Sequence, residues 1–180
     1  MATIADTTRA QDSLQPRGGR IGVAFDWGLG VQVAVTGAAA LAGVQIGARP
    51  IPPLAGAAML GVAAAAFAQG EALRRGNGWA RRIQIGGNSL VALGGLASLP
   101  ILMRGVQQGH YAMLYSYLLM LVVSPVEVWL LLQPGSRRWY GHVDPAAARA
   151  RHNGGWLAGT VAWAVVCGIL QVLAASASAF

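Results

Sequence analysis

Glu127 stands in the run VVSPVEVWLLL (122–132), where an ionised carboxylate has almost no water to hold it. Asp26 stands in a similar run, GVAFDWGLGV (22–31). A charge at membrane depth costs several kcal/mol or is neutralised, and the residue that carries it normally faces a bundle interior and marks function. A carboxyl kept in an apolar pocket can hold its proton at neutral pH and give it to an alkene or an epoxide. Aromatic faces can then stabilise the cation that results. On this chemistry Glu127 is the first choice of proton donor and Asp26 the second. Trp27 and Trp129 lie beside them in sequence, and Tyr115 and Tyr117 are further candidates for a pocket wall. Ser124 shares the helical face of Glu127, and Pro125 interrupts the backbone ladder and frees a carbonyl there.

Residues of this kind need elements to bring them together. Of the 180 residues, 55% are hydrophobic and 11% charged, well below the roughly 25% charged residues of soluble domains. A spanning helix takes about 20 apolar residues. Five segments have that character: 22–47, 54–73, 83–104, 110–133 and 156–177. The fold expected is all-α, a polytopic bundle of five transmembrane helices forming one domain over 22–180, after a polar tail over 1–21. ARPIPP (48–53), RRGNGWARR (74–82) and RGVQQGH (104–110) read as connections. The longest connection is 134–155, in which Asp144 and Pro145 can cap and start a short surface helix.

All 13 basic residues other than histidine are arginines. From the N-terminal tail to the C-terminal tail they fall in the order 3, 1, 4, 1, 4, 0 across the non-spanning segments. The positive-inside rule reads this alternation as an N-terminus in the cytoplasm and a C-terminus outside. It also argues against a nucleic-acid partner, because the positive charge is divided among membrane-flanking loops. Trp79 and the pair Trp139-Tyr140 suit a cytoplasmic aromatic belt, and Tyr111 an outer one. The arginine-rich, lysine-free composition suggests a bacterial cytoplasmic membrane.

At 1.5 Å per residue, four helices place polar groups in the cytoplasmic half: Asp26 about 6 Å inside, Asn88 about 8 Å, Glu127 about 9 Å, with Gln69 and Glu71 near the same depth and Gln84 nearer the surface. Asp26, Asn88 and Glu127 are expected to face one interior space. The bland alternative gives Glu71 to Arg74 or Arg75 at i+3 and i+4, and Asp26 to Arg20 or to lipid headgroups. Rows of small residues suggest close helix packing: Ala39, Gly43 and Gly47; Ala57, Gly61 and Ala65; Thr160, Ala164 and Gly168; and the pair Gly87 and Gly94. The single cysteine, Cys167, reads as a small packing residue. His142, Asp144 and His152 match no metal-ligand spacing, and His110 has no membrane partner histidine for a haem. No metal or cofactor is expected.

In size, helical plan and use of buried acids the chain resembles the small integral-membrane terpene cyclases of bacteria and fungi. The resemblance loosely covers the five helices and rests on no shared motif. It implies acid-initiated cyclisation of an isoprenoid and carries over no residue of the family; the polar layer and its aromatic neighbours give Glu127 and Asp26 as the acids and Trp27, Gln69, Glu71, Asn88, Tyr115, Tyr117, Ser124 and Trp129 about the substrate. The partners expected are the lipid bilayer and a lipophilic small molecule, with a homo-oligomer or other membrane proteins also open. Two other classes fit the same residues. One is a non-catalytic subunit of a larger membrane complex. The other is a small proton- or cation-coupled transporter, although its polar groups fill one half of the membrane and no inverted repeat is visible.

Overall fold

A computed structural model describes residues 18–46 and 50–177. The described residues are mostly helical, with no strand among them. The long helices are α1 (Gly19–Leu41), α2 (Pro53–Arg74) and α3 (Gly78–Ala97), which continues into α4 (Leu99–Gln107). Then come α5 (Met113–Leu118), a π-helical turn (Leu119–Val123) and α6 (Ser124–Leu132), which run on as one length of helix. Two short helices, α7 (Pro134–His142) and α8 (Pro145–Arg151), lead to α9 (Gly155–Ala177). Four of these lengths are long and apolar enough to cross a membrane: α1, α2, the α5–α6 length and α9. The bent pair α3–α4 makes a fifth if it is one span.

The bend is a correction to the straight segment 83–104. The axis turns by 52° between α3 and α4. Pro100 supplies the reason: it has no N–H for the ladder, and its ring clashes with the carbonyl four residues back. Ser98 Oγ donates to Gly94 O (2.8 Å) and Gly95 O (3.2 Å) at the break, and Ser98 O accepts from Tyr117 Oη (2.8 Å). The connection RRGNGWARR also shrinks. Gly76, at φ +77°, ends α2 in a left-handed turn. Asn77 Oδ1 then accepts from Trp79 N (2.8 Å) and Ala80 N (3.4 Å), so α3 starts at Gly78 and carries Arg81 and Arg82 within it. The first helix is shorter than expected, ending at Leu41, so Gly43 lies beyond it. Gly47 and Arg49 fall outside the described residues, as do Arg9 and Arg17.

α1 is the centre of the bundle, with α2 on one side and α9 on the other. A methyl group built on Gly37 would stand 2.8 Å from Gly56 O, and one on Gly56 would stand 2.9 Å from Gly37 O, so the α1 and α2 backbones touch there. Across the other side, a methyl on Gly168 would meet Val31 Cβ at 2.7 Å and Gly28 O at 2.8 Å. The Thr160, Ala164 and Gly168 row is therefore a packing face. Gly61, Gly87 and Gly94 have nothing within 4 Å and are not.

The segment expected as a long loop is folded into α7 and α8. Asp144 Oδ2 caps α8 through Ala146 N (2.9 Å) and Ala147 N (3.4 Å). Trp139 and Tyr140 do not form a belt: both are buried, in a cluster with Val23, Leu73, Ala80, Leu131 and Ala148. Trp79 is exposed, with the Arg82 guanidinium 5.4 Å from its ring centre.

His152 pins this segment to α2. Its ring lies 5.6 Å from Trp139 and 4.9 Å from Trp156, its Nδ1–H donates to Arg74 O (2.9 Å), and its own carbonyl accepts from Arg74 Nη1 (3.0 Å). Burial lowers the imidazole pKa, against the opposing effect of its bond to Arg74 O; the Arg20, Arg74 and Arg151 charges lower it further. A histidine that is harder to protonate when folded stabilises the fold above its unfolded pKa of about 6.5, and that contribution is lost as pH falls through the lower folded value. Acidification below about pH 6.5 is thus expected to lower the melting temperature of the wild type more than that of His152→Gln. Equal slopes in thermal unfolding across pH 5–8 would assign the acid sensitivity to another group.

Candidate functional site

Asp26 on α1, Gln84 and Asn88 on α3, and Ser124 and Glu127 on α6 are all buried, and the structure brings them together. Glu127 is 0% exposed. Its carboxyl fits over Gly22, where a methyl group would collide with Glu127 Oε1 and with Leu73 Cδ2. Gln69 Nε2 donates to Ala80 O (2.7 Å) and to Gln84 Oε1 (3.3 Å), which leaves the Gln84 amide nitrogen facing the two carboxyls. Asn88 Nδ2 donates to Gln84 O (3.1 Å) on its own helix. Ser124 Oγ donates to Leu119 O (3.1 Å), a carbonyl that also receives the Ser124 N–H across the widened turn before Pro125.

The group holds more polar atoms than hydrogen bonds. Although Gln84 and Asn88 stand beside the acids, the acceptors Asp26 Oδ2, Asn88 Oδ1 and both Glu127 oxygens, and the hydroxyl of Tyr140, lack a partner of hydrogen-bonding geometry among the described residues. Neither acid forms an ion pair among the described residues. An ionised pair in this setting costs several kcal/mol unless something positive or donating joins it.

The remaining residues expected at the site divide. Glu71 takes the bland course: it binds Arg74 through two hydrogen bonds (2.6 and 2.9 Å) and Arg75 through a third (2.7 Å). Trp27 turns to α2, its indole N–H reaching Phe67 O (3.3 Å) and its ring covering Gly70. Trp129 is 61% exposed on the outer surface of the bundle. Tyr117 is buried near the α3–α4 bend, bonded to Ser98.

Tyr115 lines a second feature, a groove of about 690 Å³ between α1, the α5–α6 length and α9. Its walls are apolar, with Phe25, Leu119, Val126 and Trp163 among them. Arg20 stands at one end, its guanidinium 5.6 Å from the Trp156 ring centre, and Gln171 at the other. From Gly155 to Gln171 the groove follows about 24 Å of helix. Phe25 and Val126 are sequence neighbours of Asp26 and Glu127, but the carboxyls themselves are not in the lining.

Reading the sequence alone leaves two residues of the polar group out of the site: Gln84, which it puts in the polar layer but nearer the surface, and Tyr140. Gln84 looks superficial by depth, yet it is four residues from Asn88 and so on its face, which is the signal for it. Tyr140 gives no such signal, because nothing local shows that its loop folds back into the bundle. Among the described residues no group of three or more histidine, cysteine or acidic side chains is placed to hold a metal. Compared with known proteins, the chain matches no protein-family model, no curated sequence and no solved structure, so the comparisons give the expected terpene-cyclase resemblance no support.

Proposed function

We propose that this is a five-span protein of a bacterial cytoplasmic membrane, with its N-terminus in the cytoplasm and its C-terminus outside, that binds a long-chain lipophilic molecule with an anionic head. The segment from Gly19, where α1 begins, forms its single membrane domain, and the residues before it form a cytoplasmic tail. The arginine alternation supports the orientation. The groove carries the binding reading. It is apolar along nearly the length of a membrane's hydrocarbon core, and Arg20 at its arginine-rich end matches a negative headgroup. The acids expected to start a cyclisation, Glu127 and Asp26, lie outside that lining, so the geometry supports binding and lends the proton-transfer step no support.

A photoreactive alkyl phosphate, with its diazirine in mid-chain, tests this reading on the purified full chain in nanodiscs. Saturable labelling is expected on residues 119–126 and 159–163, displaced by the unlabelled compound. Gly159 has open space beside it, so Gly159→Leu should fill the groove without disturbing the fold and abolish that labelling. Arg20→Gln should weaken it about tenfold, the worth of one charged hydrogen bond. Unsaturable labelling spread over outward residues such as Leu90, Leu93 and Trp129 would mean ordinary lipid contact and would remove the proposal.

A further inference from the structure

On the same side of the bundle as Arg20, but away from the groove, four arginines surround one hollow. Arg81 and Arg82 come from the first turn of α3, and Arg137 and Arg138 from α7. The hollow measures about 330 Å³, with His142 on its rim and Tyr140 in its wall. It exists because Asn77 starts α3 early and Pro134 starts α7 directly after α6. Gly78 then lets α3 approach α7 closely: a methyl there would stand 3.2 Å from Tyr140 O.

Among the described residues no acid forms an ion pair with these four arginines. Among the described residues the ion pairs are those of Glu71 with Arg74 and Arg75. Asp144 caps α8, and Asp26 and Glu127 are buried inside the bundle. Arg81 Nε donates to Leu131 O (2.9 Å), Arg138 Nε reaches Pro134 O at 3.4 Å, and Arg82 lies over Trp79. Each contact holds a guanidinium in position, and none of them is with an acid. Four like charges around a concave surface repel one another. A multivalent anion offsets that repulsion, and the planar guanidinium is suited to paired bonds with phosphate oxygens. Basic pockets at the cytoplasmic ends of membrane helices are suited to phosphate-bearing headgroups.

We infer that the hollow between α3 and α7 binds an anion carrying two phosphate groups, held by Arg81, Arg82, Arg137 and Arg138. The ligand is either a free diphosphate or a lipid headgroup with two phosphates, and the two are separable. Calorimetry of the full chain in neutral detergent, titrated with sodium pyrophosphate, tests the first. Melting temperature in nanodiscs containing cardiolipin, against phosphatidylglycerol at equal lipid charge, tests the second. Arg137 and Arg138 are exposed, so the double variant R137Q/R138Q should fold and weaken whichever binding occurs by about tenfold or more. The control variant R149Q/R151Q, on α8, should leave it within about twofold. Binding of pyrophosphate alone identifies a soluble ligand, and a cardiolipin-specific shift alone identifies a headgroup; both support the site. No response in either arm overturns it, and so does binding that R149Q/R151Q weakens as much as R137Q/R138Q.

Discussion

Glu127→Gln should leave the bundle folded and raise its melting temperature. The side chain is fully buried, and its two oxygens, like Asp26 Oδ2, Asn88 Oδ1 and Tyr140 Oη, have no partner of hydrogen-bonding geometry among the described residues. Glutamine keeps the shape and brings two N–H donors beside Asp26 Oδ2 and Asn88 Oδ1, acceptors without a partner among the described residues. Relieving a buried unpartnered group of this kind is worth about 1–3 kcal/mol. Thermal unfolding in detergent at neutral pH reads the effect directly. An ionisable group placed at such a cost is a candidate for function, which is the reasoning that singles out Glu127 in the sequence. Should the protein prove to catalyse a reaction that draws its proton from Glu127, the same variant should slow turnover by about 10²–10⁴-fold. Asp26→Asn is the parallel test for the second acid. If Glu127→Gln instead melts lower, the carboxylate has a bonding partner that the amide cannot replace, and its role is structural.

Gly37→Leu should be among the most damaging single changes to the bundle. A methyl group alone at this position would lie 2.8 Å from Gly56 O and 3.1 Å from Met59 Cβ. The first of these is backbone and cannot rotate away, so α1 and α2 must separate. Overpacking costs about 1–3 kcal/mol where side chains can adjust and more where they cannot. Separation here also disturbs the seating of Phe67 against Gly30 and of Trp27 over Gly70, which lie along the same helix pair. Gly61→Leu is the matched control: it is on α2, in a small-residue row, and faces open space. It should melt within a degree or two of the wild type. Equal damage from the two variants would mean that helix propensity or insertion, and not the α1–α2 contact, sets the stability.

These two glycines show where sequence reading stops. The row Ala57, Gly61, Ala65 has the regular spacing, yet the backbones meet at Gly56, one residue away. Spacing identifies a helix face of small residues; it does not say which neighbour that face meets, because in lipid no hydrophobic asymmetry turns a helix toward its partner. The small rise in depth that places Asp26, Asn88 and Glu127 in one slab is a property of helix geometry and can be counted from the chain. That Glu71 leaves the slab for Arg74 and Arg75 is equally local, a matter of i+3 and i+4 neighbours.

What the chain by itself determined is therefore the part carried by composition and by short-range geometry. Its apolar runs specify helices of membrane length, and Asp144 and Pro145 specify the start of α8. Pro100 specified a bend too, through the missing N–H, although a hydropathy reading passes over it. The tertiary structure decided the rest. It set the rotation of each helix about its axis, which put Trp129 on the outside and Tyr115 on a groove that the carboxyls do not reach. It folded 134–152 back against α2 and α3, which buried Tyr140 and His152 and drew Arg137 and Arg138 up to Arg81 and Arg82. The physical reason is the same in each case: contacts between residues 50 or more positions apart depend on how whole helices pack, and no local propensity or spacing encodes the angle at which they do so.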